Sequence, residues 1–154
     1  SYSKSLALPG ERIGYIAVNP QIKDAELFIS GMIFANRTLG FVNAPSLFQK
    51  VIGDALDVAV NTDEYKRRRD YLYSHLTELG FTCVKPEGAF YLFPQALIPD
   101  DVEFAKRALK YNLLIVPGSG FGCPGYFRLA YCVSMETIKN SISAFKALAE
   151  EFRA

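Results

Sequence analysis

Ser1-Tyr2-Ser3-Lys4-Ser5-Leu6-Ala7-Leu8-Pro9-Gly10-Glu11-Arg12-Ile13-Gly14 is the stretch from which the rest of this sequence is best read. One lysine stands among small hydroxyl residues, and Arg12 follows behind a Pro-Gly turn. A lysine amine condenses with an aldehyde to give a Schiff base. Serine hydroxyls and a guanidinium together can hold a phosphate. As bare residue types the same stretch also serves as a polar surface turn. Its order, and what accompanies it along the chain, must decide between the two.

The chain has 154 residues, half of them apolar and 21% charged. That is ordinary globular composition. A domain of this size buries roughly 68–70% of its unfolded surface, so a real core is affordable. The net charge of +1 provides no field for nucleic acid or an anionic membrane surface. No apolar run approaches the ~20 residues of a membrane span, and the polar opening is unlike a signal peptide. Cys83, Cys123 and Cys132 are odd in number and lack metal-ligand spacing. They read as reduced thiols of a cytosolic protein. His75 is the single histidine, which removes His-cluster metal sites and leaves little room for a Ser-His-Asp mechanism. No metal is expected. No initiator methionine precedes the chemically loaded segment, and chain ends fray. The expectation is a piece of a longer protein.

Helical and extended patterns alternate outward from the opening stretch. Ile13 to Val18 is mostly apolar and ends at Asn19-Pro20, which predicts a short buried strand. From Ile22 the pattern turns helical, with Ile22, Ala25, Ile29, Met32 and Ile33 on one face. Pro45 opens a further helix whose buried side is Leu47, Phe48, Val51, Ile52 and Leu56. Asn61-Thr62-Asp63-Glu64 resembles a capping box, and Gly80 ends the helix that follows. Phe81–Val84 and Ala89–Phe93 read as strands around Pro86-Glu87-Gly88. Asp100-Asp101-Val102-Glu103 caps a helix running to about Tyr111. Leu113–Val116 and Phe127–Val133 read as strands. Ser134 caps a last helix with Ile138, Ile142, Phe145, Ala149 and Phe152 on its face. This alternation predicts an α/β layered domain.

Three internal motifs need weighing. Lys66-Arg67-Arg68-Arg69 follows two acidic residues in the first helical turn and reads as a solvated helix face. Gly118-Ser119-Gly120-Phe121-Gly122 lacks the spacing of a dinucleotide loop and joins two strands. Arg128 alternates with Phe127 and Leu129 along a strand. An arginine is almost never buried alone, so Arg128 either faces solvent or meets an anion in a cleft.

The opening stretch resembles the lysine motif of class I/II pyridoxal-phosphate aminotransferases, the fold-type I group that includes aspartate aminotransferase. The motif positions are met at Ser1, Ser3, Lys4, Ala7, Leu8, Gly10, Arg12, Ile13 and Gly14. Pro86 to Tyr91 is similar to the family's Pro-x-Gly-Ala-Phe-Tyr strand. Val116-Pro117-Gly118 with Phe121-Gly122 is similar to its Val-x-Pro-Gly-x-x-Phe-Gly loop. Arg128, in Phe-Arg-Leu, falls where the family keeps the arginine for the substrate α-carboxylate.

The resemblance implies an α/β fold: the C-terminal small α+β domain of the fold-type I transferases plus a remnant of the large domain. The corresponding division is 1–45 as the large-domain remnant with the lysine motif, and 46–154 as connecting helix and small domain. It also implies roles. Lys4 would bind pyridoxal 5'-phosphate as a Schiff base and move the proton at the substrate Cα. Ser1, Ser3 and Arg12 would hold the cofactor phosphate. Arg128 would clamp the carboxylate. Amino acids and 2-oxo acids would be the exchanged substrates, in a cytoplasmic homodimer without nucleic-acid or membrane partners. The family's ring-stacking aromatic residue, its aspartate at the pyridine nitrogen and its Gly-rich phosphate-binding helix start have no counterpart here, so the isolated chain is expected to be inactive. A carbon–sulfur lyase of the same fold and a catalytically silent interaction domain remain open at this point.

Overall fold

The structure, a computed structural model, describes residues 1–153. The chain divides into two compact units, Ser1–Val60 and Asn61–Ala154.

In the first unit, α1 (Tyr2–Ser5), α2 (Ala25–Thr38) and α3 (Ser46–Gly53) are joined by irregular chain. The Ile13–Val18 strand does not form. A strand needs a neighbour for its backbone groups, and the described residues of this unit contain no other strand. Ile13 alone of that run is buried, while Tyr15 and Ile16 are exposed. α2 starts at Ala25, three residues later than the periodicity suggests. Asp24 precedes it in the left-handed region, with φ 58°, and its side chain makes no cap hydrogen bond. The apolar face read on α2 exists as a pattern, but none of its residues is buried. Helix α3 follows Pro45 as expected and belongs to the first unit, but of its expected buried side only Ile52 is buried, while Leu47, Val51 and Leu56 are exposed.

The second unit is built from α4 (Thr62–Glu78), β1 (Tyr91–Leu92), α5 (Asp101–Leu109), β2 (Val116–Pro117), β3 (Phe127–Ala130) and α6 (Met135–Glu151). Its helix starts are set by local chemistry. The Asn61 side chain accepts the N–H groups of Asp63 and Glu64, at 3.1 and 3.2 Å. Asp100 accepts from Glu103 N–H at 2.9 Å and Ser134 from Thr137 N–H at 3.0 Å. Each satisfies a first-turn donor that has no partner within the helix. Gly80, at φ +86°, turns the chain out of α4.

The sheet has strand order β1-β3-β2 and is antiparallel throughout. Its strands are shorter than the sequence suggests. Phe81–Val84 forms no strand, contributing the Thr82 carbonyl to Gln95 N–H at 2.8 Å. The core sits between the sheet and the helices. Phe81 lies at its centre, edge-on to Phe104, Phe127 and Phe145, with centroids 5.8–6.4 Å apart. Leu72 and Leu76 of α4 and Ile138, Phe145 and Leu148 of α6 complete it. Helices on a small antiparallel sheet match the expected mixed fold in its α+β form. The basic run on α4 is locally compensated. Arg67 and Arg68 pair with Glu64 at 2.8 and 3.0 Å, and Arg69 with Asp70 at 2.8 Å.

Leu76 is completely buried and Leu114 is 85% exposed. Leu76→Ala should therefore cost about 2–5 kcal/mol of unfolding free energy. Leu114→Ala should change it by less than about 0.5 kcal/mol. Urea unfolding monitored by circular dichroism measures both.

Candidate functional site

The residues singled out from the sequence fall into two groups. Ser1, Ser3, Lys4 and Arg12 belong to the first unit, and Arg128 belongs to the second.

The opening stretch is a closed loop, in which Tyr2 N–H donates to the Ile13 carbonyl at 3.1 Å. Ser1 caps α1. Its Oγ accepts the Ser3 N–H at 3.3 Å and donates to Ser3 Oγ at 3.0 Å, so the two hydroxyls are adjacent. Lys4 is exposed on α1. Ala7 and Arg12 both sit in the left-handed region, at φ 55° and 51°. That conformation costs a non-glycine residue about 1 kcal/mol or more. The Arg12 guanidinium donates to the Pro9 carbonyl at 2.7 Å, which braces the Pro-Gly turn and uses one of its five donors. The loop therefore offers two neighbouring hydroxyls, a guanidinium and a primary amine. This donor set fits a phosphate-bearing aldehyde.

In the second unit, alternation along β3 sends Phe127 and Leu129 into the core and Arg128 to the opposite face. Tyr91 on β1 lies opposite Ala130, two residues along from Arg128 and on the same face. Such a diagonal neighbour is within reach of a long side chain. The Arg128 Cζ lies 4.5 Å from the Tyr91 ring centroid and 4.3 Å from that of Phe121. The guanidinium thus contacts two aromatic rings. Such contacts contribute about 0.5–2 kcal/mol each and still leave the N–H edge available. Among the described residues no carboxylate pairs with it, although Arg107, Arg67, Arg68 and Arg69 all have one. A planar guanidinium is suited to bidentate contact with a carboxylate. Arg128 is half-buried on that face.

Phe121 ends a short 3-10 turn, Gly118–Phe121, between β2 and β3. Phe93 packs edge-on to the Phe121 ring, with centroids 6.1 Å apart. Gly118 is required there, because a Cβ would run into the carbonyl oxygens of Cys123 and Tyr126. Asp101, at the first position of α5, is the buried charged residue of the described chain. Its carboxylate accepts N–H groups from Ser119 at 2.7 Å and Gly125 at 3.3 Å. Those bonds, the Ser119 one foremost, hold its carboxyl below the usual carboxylate range despite the opposing effect of burial.

Tyr91, Phe121 and Asp101 are functional candidates that reading the sequence missed. The usable signal was weak: two aromatic residues within motifs flanking an unpaired arginine. An apolar recess bounded by Leu72, Ile115, Leu129, Ile138 and Phe145 carries no titratable side chain and offers no chemistry. Among the described residues no group of three or more His, Cys, Asp or Glu could hold a metal ion. No helix among them is long and apolar enough to cross a membrane.

Comparison with known proteins gives one family. The family model described as Aminotransferase class I and II matches residues 1–145. The chain is similar to an aspartate aminotransferase of Bacillus subtilis, with 35% identity over 97% of this chain and 40% of that protein. It is also similar to an asparagine–oxo-acid transaminase of Streptococcus mutans, with 32% identity over 97% of this chain and 40% of that one. A solved aminotransferase from Eubacterium rectale superposes with a TM-score of 0.88 at 45% identity, over all of this chain and 39% of that one. The chain spans about two fifths of the length of these relatives.

Asp101 supplies a pH prediction. A carboxylate whose folded pKa is lowered stabilises fully above its unfolded pKa of about 3.9, and that contribution drains as pH falls through the folded value. Urea unfolding of the wild type between pH 6 and about pH 3 should lose stability more steeply than Asp101→Asn, which is already weaker at pH 6. Parallel curves would contradict this.

Proposed function

Because the chain belongs to the class I and II aminotransferase family, we propose that its lysine loop and its ring-flanked arginine are working parts of a transaminase that moves an amino group between an amino acid and a 2-oxo acid. The observation that carries this reading is the setting of Arg128 between Tyr91 and Phe121. Resemblance to the family supplies pyridoxal 5'-phosphate as the cofactor, a homodimer as the assembly and the cytoplasm as the location. In the same reading residues 1–45 are part of the large domain, and 46–154 are the connecting helix and the small domain.

Pyridoxal 5'-phosphate, when bound, supplies an aldehyde and an electron-withdrawing ring. The Ser1 and Ser3 hydroxyls and the Arg12 guanidinium would hold its phosphate. The Lys4 amine would hold the aldehyde, and as a free amine it would take up and return the proton at the substrate Cα. Arg128 would grip the α-carboxylate with two parallel N–H donors, which fixes how the substrate is oriented. That is orientation, and orientation alone contributes substantially to rate. The arginine recognises what all α-amino and 2-oxo acids share, which suits a site that accepts two substrates in turn.

Three measurements test this. The 154-residue chain, mixed with pyridoxal 5'-phosphate and an amino-acid/oxo-acid pair, should give no turnover at the usual enzyme rates of about 1–1,000 per second. Protein expressed from the complete reading frame should transaminate, and Lys4→Ala should lower its turnover at least about 100-fold. Borohydride reduction should leave a pyridoxyl mass on Lys4. Release of pyruvate and ammonia from a cysteine conjugate without amino transfer, or full activity in Lys4→Ala, would overturn the proposal.

A further inference from the structure

Asp101 occupies an unexpected place for a charge. It is 4% exposed, and it is not needed to cap its own helix, because Asp100 already accepts the Glu103 N–H. A carboxylate taken out of water is costly unless its oxygens are bonded. Both Asp101 oxygens are bonded, and both bonds leave the helix. Oδ2 accepts from Ser119 and Oδ1 from Gly125, which lie on the two sides of the chain reversal between β2 and β3. The Ser119 N–H lies inside the Gly118–Phe121 turn, two residues before the ring that faces Arg128. Ala96 N–H also ties the loop to the segment after β1, donating to Gly125 O at 2.9 Å, and three further backbone bonds lie within the loop: Gly118 N–H to Tyr126 O, Cys123 N–H to Gly118 O and Gly122 N–H to Ser119 O, at 2.7, 3.0 and 3.1 Å. Those three shape the loop itself. Asp101 is the side chain that fixes the loop to a helix.

Phe121 is 48% exposed, so burial alone does not hold its ring in place. It is kept in place by the turn that carries it and by its contact with Phe93. We propose that Asp101 is a positioning residue for Arg128: by gripping the Ser119 and Gly125 amides it fixes the Gly118–Phe121 turn, and through it the Phe121 ring that sets the plane of the guanidinium. The proposal rests on the reading of Arg128 as the carboxylate-binding arginine. A plane set in advance matters because bidentate contact with a carboxylate requires coplanar donors. Asp101→Asn keeps the volume but turns an N–H group toward one of the two amide donors, which loosens the turn and frees the ring.

The test is steady-state kinetics on protein expressed from the complete reading frame. Asp101→Asn should raise KM for both the amino acid and the 2-oxo acid by about tenfold and lower kcat by a smaller factor, since Arg128 is loosened rather than removed. Phe121→Leu should give the same split. The double variant should be no worse than the stronger single variant, because both act through one contact. If Asp101→Asn does not fold, Asp101→Glu, with its carboxylate one methylene further out, carries the same comparison. Unchanged KM values, a loss confined to kcat, or additive effects in the double variant would overturn the proposal. Arg128→Lys separates the two levels. Unchanged KM in Arg128→Lys defeats the carboxylate reading itself. Raised KM there, with wild-type KM in Asp101→Asn, defeats only the positioning role.

Discussion

The alternation of side chains along β3 is the constraint on which the second unit depends. Successive residues of a strand point to opposite faces. Phe127 and Leu129 take the inner face because they are apolar, and their burial fixes the register against both neighbours. A slip of one residue would exchange the faces, putting Arg128 into the core and the phenyl ring into water. The energy that holds Arg128 outward is therefore mostly the burial of the residues beside it. β3 is also the central strand, so its outer face is flanked by β1 on one side and by the turn after β2 on the other. Each flank contributes one aromatic ring.

That arrangement explains why the loop between β2 and β3 is so heavily specified. It must turn sharply, present Phe121 and stay fixed. Gly118 permits the close approach to Cys123 and Tyr126, Gly122 takes the left-handed conformation after the turn, and Asp101 anchors the amides. The same loop reads in the sequence as a Gly-rich run without the spacing of a phosphate loop, and no phosphate role arises for it in the structure. Its glycines serve geometry around an arginine.

Much of the second unit was legible because its signals are local. Asn61, Asp100 and Ser134 cap helices through bonds to residues two or three positions on, so sequence distance and spatial distance coincide. What was illegible depends on partners far along the chain. Ile13–Val18 and Phe81–Val84 have strand-like composition, yet a strand is defined by its neighbour and neither run has one in a ladder. The apolar face of α2 is equally visible as a pattern, but a pattern does not state whether a surface is covered. The candidate site divides in the same way. Ser1, Ser3, Lys4 and Arg12 fall within one short motif. Tyr91 and Phe121 contact Arg128 only through sheet register and turn geometry. Asp101 was absorbed into an acidic helix start, where Asp100 alone does the capping.

The central claim is that Arg128, held between Tyr91 and Phe121, receives the substrate carboxylate. The most direct measurement is a crystal structure of protein expressed from the complete reading frame with a non-reacting substrate analogue bearing a carboxylate. The account predicts both carboxylate oxygens on the Arg128 guanidinium, within hydrogen-bond distance of about 2.7–2.9 Å, with the two rings still on the guanidinium. A carboxylate bound by another cation, with Arg128 turned away from both rings, would contradict it.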